Sequence, residues 1–134
     1  MESKKLYEKR DLEDYASDQE SVDSYGRVDN VKELLPDDAI VKNYSAGGYE
    51  GTIGIVIKLD GYYWLIKEIY GSCSLCDPYI ASDDHAEYAR SIMRNAYCLP
   101  DKESAEKFLK KKEEDDSYGW KKITTQMNEL IQEI

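Results

Sequence analysis

The chain is short of histidine, cysteine and phenylalanine: its 134 residues hold one His, three Cys and one Phe. A single imidazole leaves little for histidine-based catalysis. No apolar run approaches the ~20 residues of a membrane span. The opening residues, Met1-Glu2-Ser3-Lys4-Lys5, lead into acidic sequence rather than an apolar core, so a secretory signal is not expected. Positive charge is also scarce, with 18 Lys and Arg against 28 Asp and Glu, a net charge of −10. That balance disfavours a general attraction to nucleic acid phosphate. No P-loop, GxGxxG or EF-hand spacing occurs.

What is present fits one small domain, at roughly 100–200 residues per domain. Apolar residues make up 41%, enough for a modest core, and 12 tyrosines stand beside the lone phenylalanine. Tyrosine offers a large ring with a polar handle, suited to half-wet faces and interfaces. Up to Asp38, twelve acidic residues face six basic ones, so −6 of the −10 falls before the expected sheet. Residues 1–27 are sparse in apolar side chains and read as an acidic arm, mobile or ordered only on a partner. Glu13, Asp14, Asp18, Glu20 and Asp23 are its candidate contact residues, with Tyr62, Tyr63 and Tyr70 as candidates on the sheet.

Residues 28–134 read as a single α+β domain. Val28–Leu35 suits a short helix ended by Pro36, and Ala39–Tyr44 a strand broken by Ser45-Ala46-Gly47-Gly48. The runs 52–59 and 62–70 flank Asp60-Gly61, a type I′ hairpin signal. That turn sets Leu59 opposite Tyr62, Ile57 opposite Trp64 and Ile55 opposite Ile66, an apolar face aimed at the core. The other face, with Lys58, Tyr63, Val56 and Leu65, is mixed and expected to be partly wet. Gly54 marks a bulge or a close backbone approach. Helices are expected over 83–97, from Asp101 to about Glu114, and from Trp120 onward. The last carries a clean stripe of Trp120, Ile123, Met127, Leu130, Ile131 and Ile134. The expected architecture is a small antiparallel sheet built on the 52–70 hairpin and packed against C-terminal helices. Ile55, Ile57, Trp64, Ile66, Ile92, Phe108, Ile123 and Leu130 are expected in the core.

The best local chemical signal is Cys73-x2-Cys76 in a polar loop after the second hairpin strand, followed by His85 and Cys98. Cys and His are preferred zinc ligands, so Cys73, Cys76 and His85 are candidate ligands and zinc the candidate cofactor. The spacing C-x2-C-x8-H-x12-C matches no standard finger. His85 and Cys98 would stand near opposite ends of one helix, ~20 Å apart at 1.5 Å per residue. A thiol-redox role, a reversible disulfide and a plain loop anchor are the alternatives. The acidic pairs Asp37-Asp38 and Asp83-Asp84 read as turns and caps.

The stretch from Asp60-Gly61-Tyr62-Tyr63-Trp64 to Gly71-Ser72-Cys73-Ser74-Leu75-Cys76-Asp77 resembles small uncharacterised proteins of phages and other mobile elements, in which a hairpin precedes a G-S-C-S-x-C-D loop. The resemblance covers only the middle of the chain and supplies no catalytic residues. It implies an accessory protein of a virus or mobile element that binds a host protein. The expected location is the cytoplasm, that of the host if the protein is viral, and a viral partner is the other expectation. With the acidic balance, the expected partner is a protein with a basic surface rather than nucleic acid or membrane. The alternative expectation is a metal-binding or thiol-redox regulatory module on Cys73 and Cys76.

Overall fold

The computed structural model describes residues 8–73, 75, 77–115 and 119–134. Asp60 and Gly61 take φ of 57° and 79°, as a type I′ turn requires. They join β2 (Gly51–Leu59) to β3 (Tyr62–Tyr70). The register is the expected one, with Leu59 opposite Tyr62, Ile57 opposite Trp64 and Ile55 opposite Ile66. β1 (Ile40–Gly47) pairs antiparallel with the far side of β2. It continues past the expected break at Tyr44, because Ser45 and Ala46 stay in the ladder opposite Ile53 and Thr52. The chain turns only after Gly47, whose φ is 120°.

Helix α1 spans Arg27–Leu34 and a one-turn helix α2 spans Pro78–Ala81. α3 spans His85–Arg94 and stops at Asn95, short of the expected Tyr97. Tyr97–Leu99 instead form β4 on the outer side of β3, completing a four-stranded antiparallel sheet in the order β1-β2-β3-β4. Three residues are too few to show strand alternation, so the sequence pattern runs the helix on to Tyr97. α4 spans Lys102–Glu114, capped by Asp101 as expected. α5 spans Thr124–Glu133, and Trp120–Lys122 before it form a 3-10 turn. The fold class is α+β.

Both sheet faces are covered. Ile55, Ile57, Leu59, Trp64 and Ile66 pack with Val31 and Leu34 of α1 and Ile92 and Met93 of α3. Val56, Tyr63 and Leu65 pack with Phe108 and Leu109 of α4 and Met127 and Ile131 of α5. The eight expected core residues therefore divide between two cores, and Leu130 is only half-buried on the second. The C-terminal helices cover the face expected to be partly wet. Lys58 reconciles its charge with that face by lying over the Tyr63 ring at 5.4 Å, its stem along apolar surface. Gly54 is a close approach: Met127 Cγ and Sδ lie 2.6 Å from where a Cβ would stand.

Residues 8–26 lie against the same domain rather than as a free arm. Leu12, in a 3-10 turn over Leu12–Tyr15, is fully buried. The Tyr15 hydroxyl donates to Asp60 at 2.6 Å, and its ring meets Trp64 edge-on at 5.6 Å. Arg94 holds Glu13 at 2.7 Å, and Arg90 donates to the Ser17 and Gln19 carbonyls. Glu33 accepts the N–H groups of Asp23 and Ser24. Apolar content alone suggested that this stretch could not offset its ordering entropy. One buried leucine and polar ties to residues as many as 81 positions away hold it instead.

Candidate functional site

The functional candidate begins at Asp77, the last residue of the G-S-C-S-x-C-D loop. It lies buried where β3 gives way to α2. Its carboxylate accepts from the Arg27 guanidinium, from the Gly71 N–H at 3.0 Å and from the Tyr79 N–H at 2.9 Å. The last bond caps α2. The Asp77 N–H donates to the Cys73 carbonyl at 2.9 Å and closes the loop.

Arg27 opens α1 and is itself buried. It bonds Glu68 at 2.9 Å and the Ile69 carbonyl at 3.1 Å, and lies 4.9 Å from the Tyr79 ring centre. Two carboxylates and a carbonyl thus surround one guanidinium, whose planar fork suits such sharing. Burial pushes the Glu68 carboxyl above its ordinary range, against the opposing pull of Arg27. The Tyr88 hydroxyl donates to Glu68 at 3.1 Å. Burial, with the Glu68 charge beside it, pushes Tyr88 up to about 12. The Tyr79 hydroxyl donates to Asn30 at 2.7 Å and accepts the Gly26 N–H at 3.2 Å, while His85 stacks on its ring at 4.1 Å. This network satisfies its own donors and acceptors. Chemically it is a brace that fixes the start of α1, the end of β3 and α2 to one another.

Exposed apolar side chains stand at the same end of the sheet as that brace. Among the described residues the large exposed hydrophobics are Tyr25, Ile40, Tyr49, Leu75 and Ile80, and all but Ile40 lie at this end of the sheet. Tyr25 and Ile80 share a groove of about 480 Å³ with Tyr70 and Tyr79. Tyr49 sits in the β1–β2 turn, pinned by the Tyr70 hydroxyl donating to the Gly48 carbonyl at 3.0 Å. Leu75 tops the loop closed by Asp77 and is 99% exposed; Tyr25 is 95% and Tyr49 87% exposed. Beside them Glu20, Asp83 and Asp84 line an acidic cleft of about 560 Å³.

The sequence-level candidates scatter over the molecule. Glu13 is paired with Arg94, while Asp14, Asp18, Glu20 and Asp23 are exposed. Of the tyrosines, Tyr70 lines the groove. Tyr62 stands at the opposite end of the hairpin under Arg10. Tyr63 is 6% exposed and belongs to the core, because the face it occupies is covered by helices. Cys73 lies in the loop and His85 stacks on Tyr79 at the start of α3, while Cys76 lies outside the described residues. Cys98 is buried on β4, where desolvation pushes its thiol up to about 12. Among the described residues no group of three or more His, Cys, Asp and Glu is arranged to hold a metal ion. No described helix is long and apolar enough to cross a membrane.

Sequence reasoning missed Tyr25, Tyr49, Leu75 and Ile80. A signal for three of them was present: Tyr25, Tyr49 and Leu75 stand in Gly- and Ser-containing turns, outside every apolar stripe, where no core exists for them to face. Comparison with protein-family models, curated proteins and solved structures returns no match to this chain.

Proposed function

We propose that the protein is a non-enzymatic binding module, an accessory protein of a virus or mobile element that docks a host protein with a basic surface. The observation that carries this reading is the gathering of Tyr25, Tyr49, Leu75 and Ile80 at one end, beside a buried polar brace. A rigid base beside exposed aromatic anchors lowers the ordering cost of binding. The adjoining Glu20, Asp83 and Asp84, together with the net charge of −10, add long-range attraction for a cationic partner. A nucleic-acid-handling or defence protein fits this chemistry, the carboxylates taking the place of phosphates.

The test is capture from host lysate with the full chain, at low and high salt. The expected partner is retained at low salt, released at high salt, and lost to a Tyr25→Ser/Leu75→Ser variant that folds normally. Capture of nothing, of salt-insensitive proteins only, or equal capture by the variant refutes the proposal.

A further inference from the structure

β1 is an open edge. Among the described residues its eight-residue ladder to β2 is its only hydrogen bonding, whereas the three-residue β4 at the other edge is met by Glu8. Exposed edges are usually blunted by proline, charge, a bulge or a covering element. β1 has no proline, and Lys42 is its single charge. Its register opposite β2 runs without a bulge from Ile40 to Gly47.

The two faces flanking this edge differ. On one, Asn43 and Ser45 border the groove with Tyr25, Val28 and Asp29; Asp29 is exposed, and Arg27, the cation that also lines this groove, is buried and already bound to Glu68 and Asp77. On the other, Tyr44 and Ala46 are half-buried against the core beneath α5, next to exposed Lys42. A strand added at the edge would send alternate side chains to these two faces. On the groove side a long cationic side chain can lay its stem on Tyr25 and bring its charge to Asp29. On the α5 side an apolar residue meets Tyr44 and Ala46, and Lys42 repels a cation.

We infer that β1 accepts an extended partner segment by strand addition, and that this segment alternates basic and apolar residues. The inference deepens the reading of this end as a protein-docking surface and rests on it. A second copy of the chain is the poorer occupant, since each copy carries −10 and offers Asn43 and Ser45 rather than cations to the groove.

The probe is a synthetic eight-residue peptide alternating lysine and valine, added to the full chain. Backbone amide exchange is followed by NMR. At about ten times its Kd the peptide should slow exchange of the outward-facing β1 amides about tenfold. An N-methylated version that cannot pair, and a version with glutamate for lysine, should produce no such slowing. Binding without β1 protection, equal protection by the glutamate peptide, or no binding at millimolar peptide overturns the inference. So does concentration-dependent β1 protection in the protein alone, which would make a second copy the occupant. The Tyr49→Ser/Leu75→Ser variant separates the two proposals, because it alters the apolar end and leaves β1 and its groove intact. Lysate capture by this variant reports on the docking surface, and peptide protection in the same variant reports on the edge.

Discussion

Replacing Asp77 by alanine should cost far more than a loop aspartate ordinarily would. The substitution leaves buried Arg27 with Glu68 as its remaining carboxylate, strips the Gly71 N–H of its acceptor and uncaps α2. Removing one partner of a buried ion pair costs about 3–5 kcal/mol. The orphaned N–H and the lost cap would each add about 1–2 kcal/mol if independent. They share the 71–77 loop with the ion pair, and relaxation of that loop toward water returns part of the sum. About 4 kcal/mol is therefore the expected loss, a large fraction of the ~5–15 kcal/mol that holds a domain folded. Urea unfolding reads it directly, since Trp64 and Trp120 lie in the two cores and report on both faces. With a slope of about 2 kcal/mol per molar, the midpoint falls by about 2 M at unchanged slope. Asp77→Asn keeps an acceptor for the Tyr79 N–H and should lose less. In the cycle with Arg27→Met, the double variant should be more stable than the two single losses predict, by about 1–3 kcal/mol. A loss below about 1 kcal/mol for Asp77→Ala, or strict additivity in the cycle, would refute the assignment of this network as the brace.

Leu12→Ala should destabilise the whole domain by about 2–5 kcal/mol in the same urea assay, the cost of emptying a packed core site; under 0.5 kcal/mol would mean that the segment is not part of the folded unit. Glu33 is held at about 2, below its ordinary 4.5, by hydrogen bonds from the Ser24 side chain and from the Asp23 and Ser24 N–H groups. Because the folded value is the lower one, its stabilisation is complete above pH 4.5 and disappears as pH falls toward 2. The Asp23 and Ser24 amide resonances should titrate with that low midpoint, and a midpoint near 4.5 would contradict the contact. Gly54→Ala puts a Cβ against Met127 and should cost about 1–3 kcal/mol in thermal unfolding; a neutral result would show that α5 yields to it freely.

The central hairpin was legible because its determinants are local. Asp60-Gly61 specifies the turn, the turn specifies the register, and Ile55, Ile57, Trp64 and Ile66 fall on one face by alternation alone. Asp101 as a cap and the stripe of the last helix were legible for the same reason, and so was the general α+β class. Gly54 announced a close approach but not its partner.

The apolar pattern of β3 could not say which helices cover which face, because apolar side chains attract without addressing a particular neighbour. That choice divides Trp64 from Phe108 into separate cores and makes Tyr63 a core residue. The same limit applies to residues 8–26, whose charges look like solvent-facing acid until Arg90, Arg94 and Glu33 are brought beside them. Arg27, Glu68 and Asp77 are separated by 41 and 9 positions in the chain, and no spacing rule joins them. The sequence by itself determined the hairpin, its register and the acidic balance, all set by neighbours along the chain or by simple composition. Only the tertiary structure decided that Asp77 is a buried anchor and that Tyr25, Tyr49, Leu75 and Ile80 share one end, because those relations arise from long-range closure of the sheet and helices.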